Sequence, residues 1–183
     1  MGQFTYPYNN AGNTTTYSVR DIPGIPDKMF GLPQNTTDNL TNTHMMLYFP
    51  VVAADGNIWL NNNLGAHYSN INHASFNPAQ QATGATDHLA YGSLFQWGRK
   101  PDGHELITYT GTGTAANGTT TTRPNADTAA NALFITINSG NYDWRGTTQN
   151  DALWATEASA NNPCPVGFRV PTLTEQNTLV TAA

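Results

Sequence analysis

Apolar residues in this chain come in short runs separated by Asn, Thr, Gly and Pro, and the spacing within the runs changes along it. Residues 44–54 (HMMLYFPVVAA) form an apolar run of strand length, with Pro50 marking a bend or an edge. Asp55-Gly56 is a turn signal and residues 57–60 (NIWL) resume the strand, so 46–60 reads as a hairpin. Over 86–98 (TDHLAYGSLFQWG) the spacing switches to three and four. Ala90, Leu94 and Trp97, flanked by Tyr91 and Phe95, make a stripe that predicts a core-facing helix capped by Thr86 or Asp87 and closed at Gly98. Gly92 weakens that helix. Residues 104–110 (HELITYT) alternate as a strand, and 131–138 (NALFITIN) do so again with Leu133, Ile135 and Ile137 on one face. Between them, 111–130 is low-complexity and nearly coreless, which predicts a mobile or decorated excursion. Near the end, Thr172-Leu173-Thr174-Glu175 fits a capping box behind Pro171. It predicts a helix from about 173 onward with Leu173 and Val180 on its inner face.

The first 43 residues are polar and punctuated by Pro7, Pro23, Pro26 and Pro33, with Asn/Thr clusters at 9–16 and 35–43 that read as turns. Two readings stay open: a flexible leader, or an extended arm that packs on its own domain or a neighbour through Tyr6, Tyr8, Tyr17, Phe30 and Leu32. The expected organisation is an extended N-terminal arm, 1–45, and a single domain, 46–183. The expected class is α+β: twisted antiparallel strands, two helices near 87–98 and 173–182, and long loops.

Composition narrows the partners. Only 10% of residues are charged, against roughly 25% in ordinary soluble domains, and Asn and Thr fill about a quarter of the chain. Both residue types hydrogen-bond locally and favour turns, caps and strands, which suits a loop-rich surface protein rather than a cytosolic enzyme. The net charge is −5, and the seven basic residues are scattered, so nucleic acid is not an expected partner. No run approaches the ~18 apolar residues of a membrane span. The opening residues lack a charged and an apolar signal region, so an exported form would be a mature one or use another route.

Candidate chemistry is sparse. His67 and His73 share a loop without Cys, Asp or Glu to complete a metal set, and solvated loop histidines are the better reading. Cys164, flanked by Pro163 and Pro165, has no neighbour that would lower its pKa. Asp143, Asp151 and Glu157 show no catalytic spacing, and no phosphate or dinucleotide glycine pattern is present. No enzyme, metal or cofactor is therefore expected. Tyr142, Trp144 and Trp154 sit in loop contexts, either capping the core or forming an exposed aromatic platform for a ligand.

Four motifs occur in a fixed order. They are Trp59-Leu60 with Asn63-Leu64-Gly65-Ala66, then Tyr91-Gly92-Ser93-Leu94-Phe95-Gln96-Trp97-Gly98-Arg99 with Asp102-Gly103-His104, then Tyr142-Asp143-Trp144-Arg145, then residues 161–172 (NNPCPVGFRVPT) with Glu175. In this order they resemble the Fibrobacter succinogenes major paralogous domain, a family of exported bacterial surface proteins. The ending Phe168-Arg169-Val170-Pro171-Thr172 with Glu175 also resembles an element of formylglycine-generating-enzyme-like domains, which implies a C-type-lectin-like fold. Formylglycine-generating activity does not carry over, because its cysteines have no counterpart here. Gln176 stands where an aromatic often follows the glutamate. Family members continue with further strands and a late cysteine, so the resemblance implies that the 46–183 domain is C-terminally incomplete and that Cys164 is half of a disulfide with a partner outside the chain.

Together these imply an extracellular or cell-surface recognition or adhesion module, without enzymatic activity, that binds glycans or a surface protein through aromatic-rich loops. The alternative is a structural subunit of an extracellular filament or appendage, self-associating through residues 1–43.

Overall fold

The structure, a computed structural model, describes residues 4–10, 13–19, 24–27, 46–109 and 113–182. The predicted packing of Phe30 and Leu32 and the turns at 35–43 lie outside them. Strands β1 (Phe4–Asn10) and β2 (Asn13–Val19) form an antiparallel hairpin whose register places Tyr6 opposite Tyr17 and Asn10 opposite Asn13. β3 (Ile25–Pro26) pairs antiparallel with β4 (Leu47–Tyr48), so part of the N-terminal segment is a strand of the domain. β5 (Pro50–Val52) and β6 (Ile58–Leu60) form the expected hairpin. Its turn is closed by the Asp55 carboxylate, which accepts from the Asn57 amide at 3.0 Å and the Trp59 indole at 3.2 Å. β7 (Ile107–Thr108) pairs antiparallel with β8 (Thr114–Ala115), and β9 (Thr119–Thr120) pairs parallel with β10 (Phe134–Ile135). One α-helix, α1 (Leu173–Ala182), closes the described chain. The result is a mixed fold of short, mainly antiparallel strand pairs and one helix; among the described residues no sheet closes on itself.

The predicted helix over 86–98 does not form. Only His88–Ala90 makes a helical turn, of 3-10 type, and the Asp87 side chain caps it through the Leu89 amide. Gly92 then takes a φ of +76°, which side-chain-bearing residues avoid, and a Cβ there would meet the Leu64 carbonyl oxygen at 2.3 Å. The next two amides are given to distant carbonyls: Ser93 to Leu64 at 2.8 Å and Leu94 to Glu105 at 2.8 Å. With those donors committed elsewhere, the helix cannot propagate. The stripe divides as a result: Ala90 is buried, whereas Tyr91, Leu94 and Trp97 are exposed.

Two other expectations change. Among the described residues 104–109, strand structure is confined to Ile107–Thr108, because His104 and Glu105 belong to a turn. The low-complexity stretch, from 113 on, is ordered by backbone bonds rather than by a core of its own. Ala116 donates to the Leu106 carbonyl at 2.8 Å, Thr136 donates to Thr120 at 2.8 Å, the Asn117 side chain holds the Gly103 carbonyl, and Ala129 is buried. The terminal helix starts as predicted: the Thr172 hydroxyl accepts from the Glu175 amide, and Glu175 accepts from the Thr172 amide at 2.8 Å. Its predicted inner face is absent, since no residue of α1 is buried and Leu173 and Val180 are 77% and 69% exposed.

Candidate functional site

The centre of the domain is polar. Arg99 is fully buried, and its guanidinium reaches Asp102 at 3.0 Å, the Gln96 side-chain oxygen at 2.8 Å, and the carbonyls of Leu133 at 2.9 Å and Asn131 at 2.7 Å. It also lies 5.7 Å from the Trp144 ring centroid. Gln96 completes the arrangement by pairing both amide atoms with the Ile135 backbone, acting as a strand would on the edge of β10. Asn161 donates to the carbonyls of Gly98 and Asp127, and Asn162 to those of Glu157 and Phe168. Cys164 is buried beside them, its amide held by Asn162. The second and fourth sequence motifs therefore meet in this hub, where their polar side chains serve loop carbonyls that no sheet ladder reaches.

Trp144 and Trp154, expected as ligand-platform candidates, are built into the same centre. They are buried, and their indole N–H groups donate to the carbonyls of Trp97 at 2.9 Å and Asn161 at 2.8 Å. In this conformation neither presents a ring face to solvent. Trp154 packs against Trp97 and Phe95, with ring centroids 5.2 and 6.3 Å apart. Tyr142 stays outside, 69% exposed, with a φ of +54° that is unusual for a bulky residue.

Asp102, His104 and Glu105 bring three potential metal-ligand atoms within 4.8 Å of one another. The donor pattern fits a proton network instead. His104 Nε2 accepts from the Gln96 amide at 3.1 Å, so the ring proton sits on Nδ1, 2.8 Å from Asp102 and 3.3 Å from Glu105. A ligating histidine would need the opposite arrangement, with the lone pair facing the carboxylates and the other nitrogen donating. Burial pushes the Asp102 carboxyl up, but the hydrogen bond from His104 and the Arg99 charge outweigh it and hold it below the usual range.

Beside the hub is a cleft of about 220 Å³ whose walls include Met46, His67, Asn70, His88, Ser93 and Tyr109. The 3-10 turns His67–Ser69 and His88–Ala90 supply the two histidines. His88 lies 6.5 Å from the Tyr109 ring, which Tyr91 meets edge-on at 5.2 Å. The Tyr109 hydroxyl donates to Gly92, fixing that ring. His67 stacks on His73 at 4.2 Å, and its buried Nδ1 has no hydrogen-bond partner. Burial and then the neighbouring His73 and His88 keep the His67 pKa below the usual value. The expectation of two solvated loop histidines therefore fails for His67, which burial and ring stacking draw inward. The sequence pattern places His88 in a helix and Tyr109 in a strand; their approach depends on the chain turning at Gly92, which no local pattern reveals.

The described residues form a small mixed fold of short strand pairs and one helix, with a cleft built from loops and turns. Compared with protein-family models, with curated proteins and with solved structures, the chain matches none. Among the described residues no helix is long and apolar enough to cross a membrane.

Proposed function

We propose that this chain is a non-enzymatic, extracellular recognition module of C-type-lectin-like character, and that its cleft at His67, His88 and Tyr109 takes one small polar unit such as a terminal saccharide. The observation that carries the reading is the composition of this cleft. Imidazole and phenol rings form its walls, Asn70 and Ser93 add polar side chains, and the His67 Nδ1 beside it lacks a partner. Ring faces suit the C–H surface of a sugar, and unpaired polar atoms suit its hydroxyls. At about 220 Å³ the cleft is smaller than the ~300–1,000 Å³ of drug-sized sites, so it accommodates a single unit rather than an extended chain. The order of the four motifs, with its resemblance to exported surface proteins, supports the extracellular placement.

The test is a glycan array followed by NMR titration of any hit. Binding that falls tenfold or more in His88→Ala and Tyr109→Ala, with unchanged dispersion of the remaining amide signals, supports the reading. A blank array, or a hit indifferent to both substitutions, defeats it.

A second reading, a filament subunit, draws on the β1–β2 hairpin, whose seven-residue strands pair only with each other among the described residues. Open strand edges accept further strands. Size-exclusion chromatography of the full chain against a deletion of residues 1–23 decides it: a monomer in both cases removes this reading.

A further inference from the structure

The cleft at His67, His88 and Tyr109 is walled without permanent charge. Among the described residues that line it there is no Asp, Glu, Lys or Arg, so its two imidazoles are the groups that can gain a charge near neutral pH. A third imidazole, His73, stacks on His67 with the ring planes 25° from parallel. The other titratable groups around this set are already used. The Tyr109 hydroxyl donates to Gly92, the Tyr91 hydroxyl to Ala85, and the Tyr68 hydroxyl, in the His67 turn, to the Asp87 carboxylate. Asp87, next to His88 in the chain, also accepts from the Thr83 amide and hydroxyl and from the Leu89 amide. No described carboxylate forms an ion pair with His67, His73 or His88. A proton added to His67 therefore meets burial and two neighbouring imidazoles with nothing to offset its charge, which is why its pKa lies below the usual value. A negative charge in the cleft would supply that offset.

We infer that the ligand of this cleft is an acidic saccharide, a uronic acid unit whose carboxylate is taken by His67 and His88 and whose binding carries one proton from solvent onto that pair. The inference rests on the reading of the cleft as a saccharide site and names the class of sugar. An imidazolium gives a carboxylate a charge-assisted hydrogen bond, roughly twice as strong as a neutral one. The Tyr109 ring remains for the C–H face of the sugar, and Asn70 and Ser93 for its hydroxyls. A neutral hexose would keep the ring contacts and gain nothing from the imidazoles' capacity to charge. Because the proton is taken up on binding, affinity rises as pH falls, for as long as the sugar carboxylate stays ionised, down to about pH 4.

The test titrates the full chain with the methyl glycosides of glucuronic and galacturonic acid, each beside its neutral parent hexose, at about pH 7.5 and about pH 5.5. At the lower pH an acidic glycoside is expected to bind about tenfold tighter than its parent, and about tenfold tighter than it does itself at the higher pH. Calorimetry near pH 6.5, in two buffers of different ionisation enthalpy, should report an uptake approaching one proton per sugar bound. In a His67→Gln, His88→Gln double variant the preference for the acid and its pH dependence are expected to disappear, with amide signal dispersion reporting whether the variant is folded. Equal affinity for acidic and neutral sugars, acidic binding that is flat with pH, or a neutral sugar that binds in the cleft where neither acid does, overturns the inference and leaves the saccharide reading standing. A pH dependence that survives in the folded double variant overturns it as well, since it then reports titration of a surface with a net charge of −5. No binding of any sugar at either pH defeats both.

Discussion

The Arg99 guanidinium in the hub and the His67 imidazole beside the cleft are polar groups treated in opposite ways. In the hub a fully buried guanidinium finds four oxygen partners, and the two asparagines of residues 161–162 spend their amide hydrogens on carbonyls of separate loops. In the cleft the buried His67 Nδ1 is left unpaired. Satisfied polar groups hold loops in register and are poor candidates for ligand contact. An orphan atom beside a cavity is where ligand contact has most to gain. The parts of the second and fourth sequence motifs that hold Arg99, Asn161 and Asn162 therefore lie in the region that builds the fold.

The comparison is broken most severely at Arg99. Replacing it with Met removes every bond it makes and takes the charged partner from Asp102 Oδ2 and the donors from two buried carbonyls, for a loss of about 3–5 kcal/mol. Urea unfolding measures this, and retention of wild-type stability would show that the hub is incidental. Gln96→Ala frees both backbone groups of Ile135 and is expected to cost about 1–3 kcal/mol in the same assay.

Outside both regions, α1 predicts much smaller effects. Thr172→Ala removes the cap and weakens the helix by about 1 kcal/mol, lowering the far-UV helical signal while the urea midpoint of the domain stays put. A shift of that midpoint would show that α1 packs on the domain after all. Acid separates the helix start in another way. Arg169 and then the Thr172 contacts hold the Glu175 carboxyl at about 2. Because this lies below the unfolded value of roughly 4.3, the contribution is complete above the unfolded value and is lost as pH falls through the folded one. An NMR titration of the Glu175 side chain should therefore show it charged at about pH 4, with the first helical turn melting toward pH 2.

What could be read from the sequence was local. The turn at Asp55-Gly56 and the box at Thr172 and Glu175 each close within four residues, and both form as expected. The helix over 86–98 failed because Leu64 and Glu105, far along the chain, claim the amides it needed. The stretch after 113 looked coreless and still found order, because its backbone partners belong to Leu106, Gly103 and Phe134. The tryptophans left two readings open, and only the carbonyls of Trp97 and Asn161 placed them inside. The cleft could not be read in advance, since it gathers residues from three or more separated segments.

The proposed division between a polar centre that holds the fold and a polar cleft that would take a ligand is tested most directly at His67. Urea unfolding and saccharide titration would be run side by side on His67→Gln, with Arg99→Met as the reference. The expected result is stability within about 1 kcal/mol of wild type together with at least tenfold weaker binding. A loss of several kcal/mol approaching that of Arg99→Met, with binding unchanged in the protein that remains folded, would contradict it.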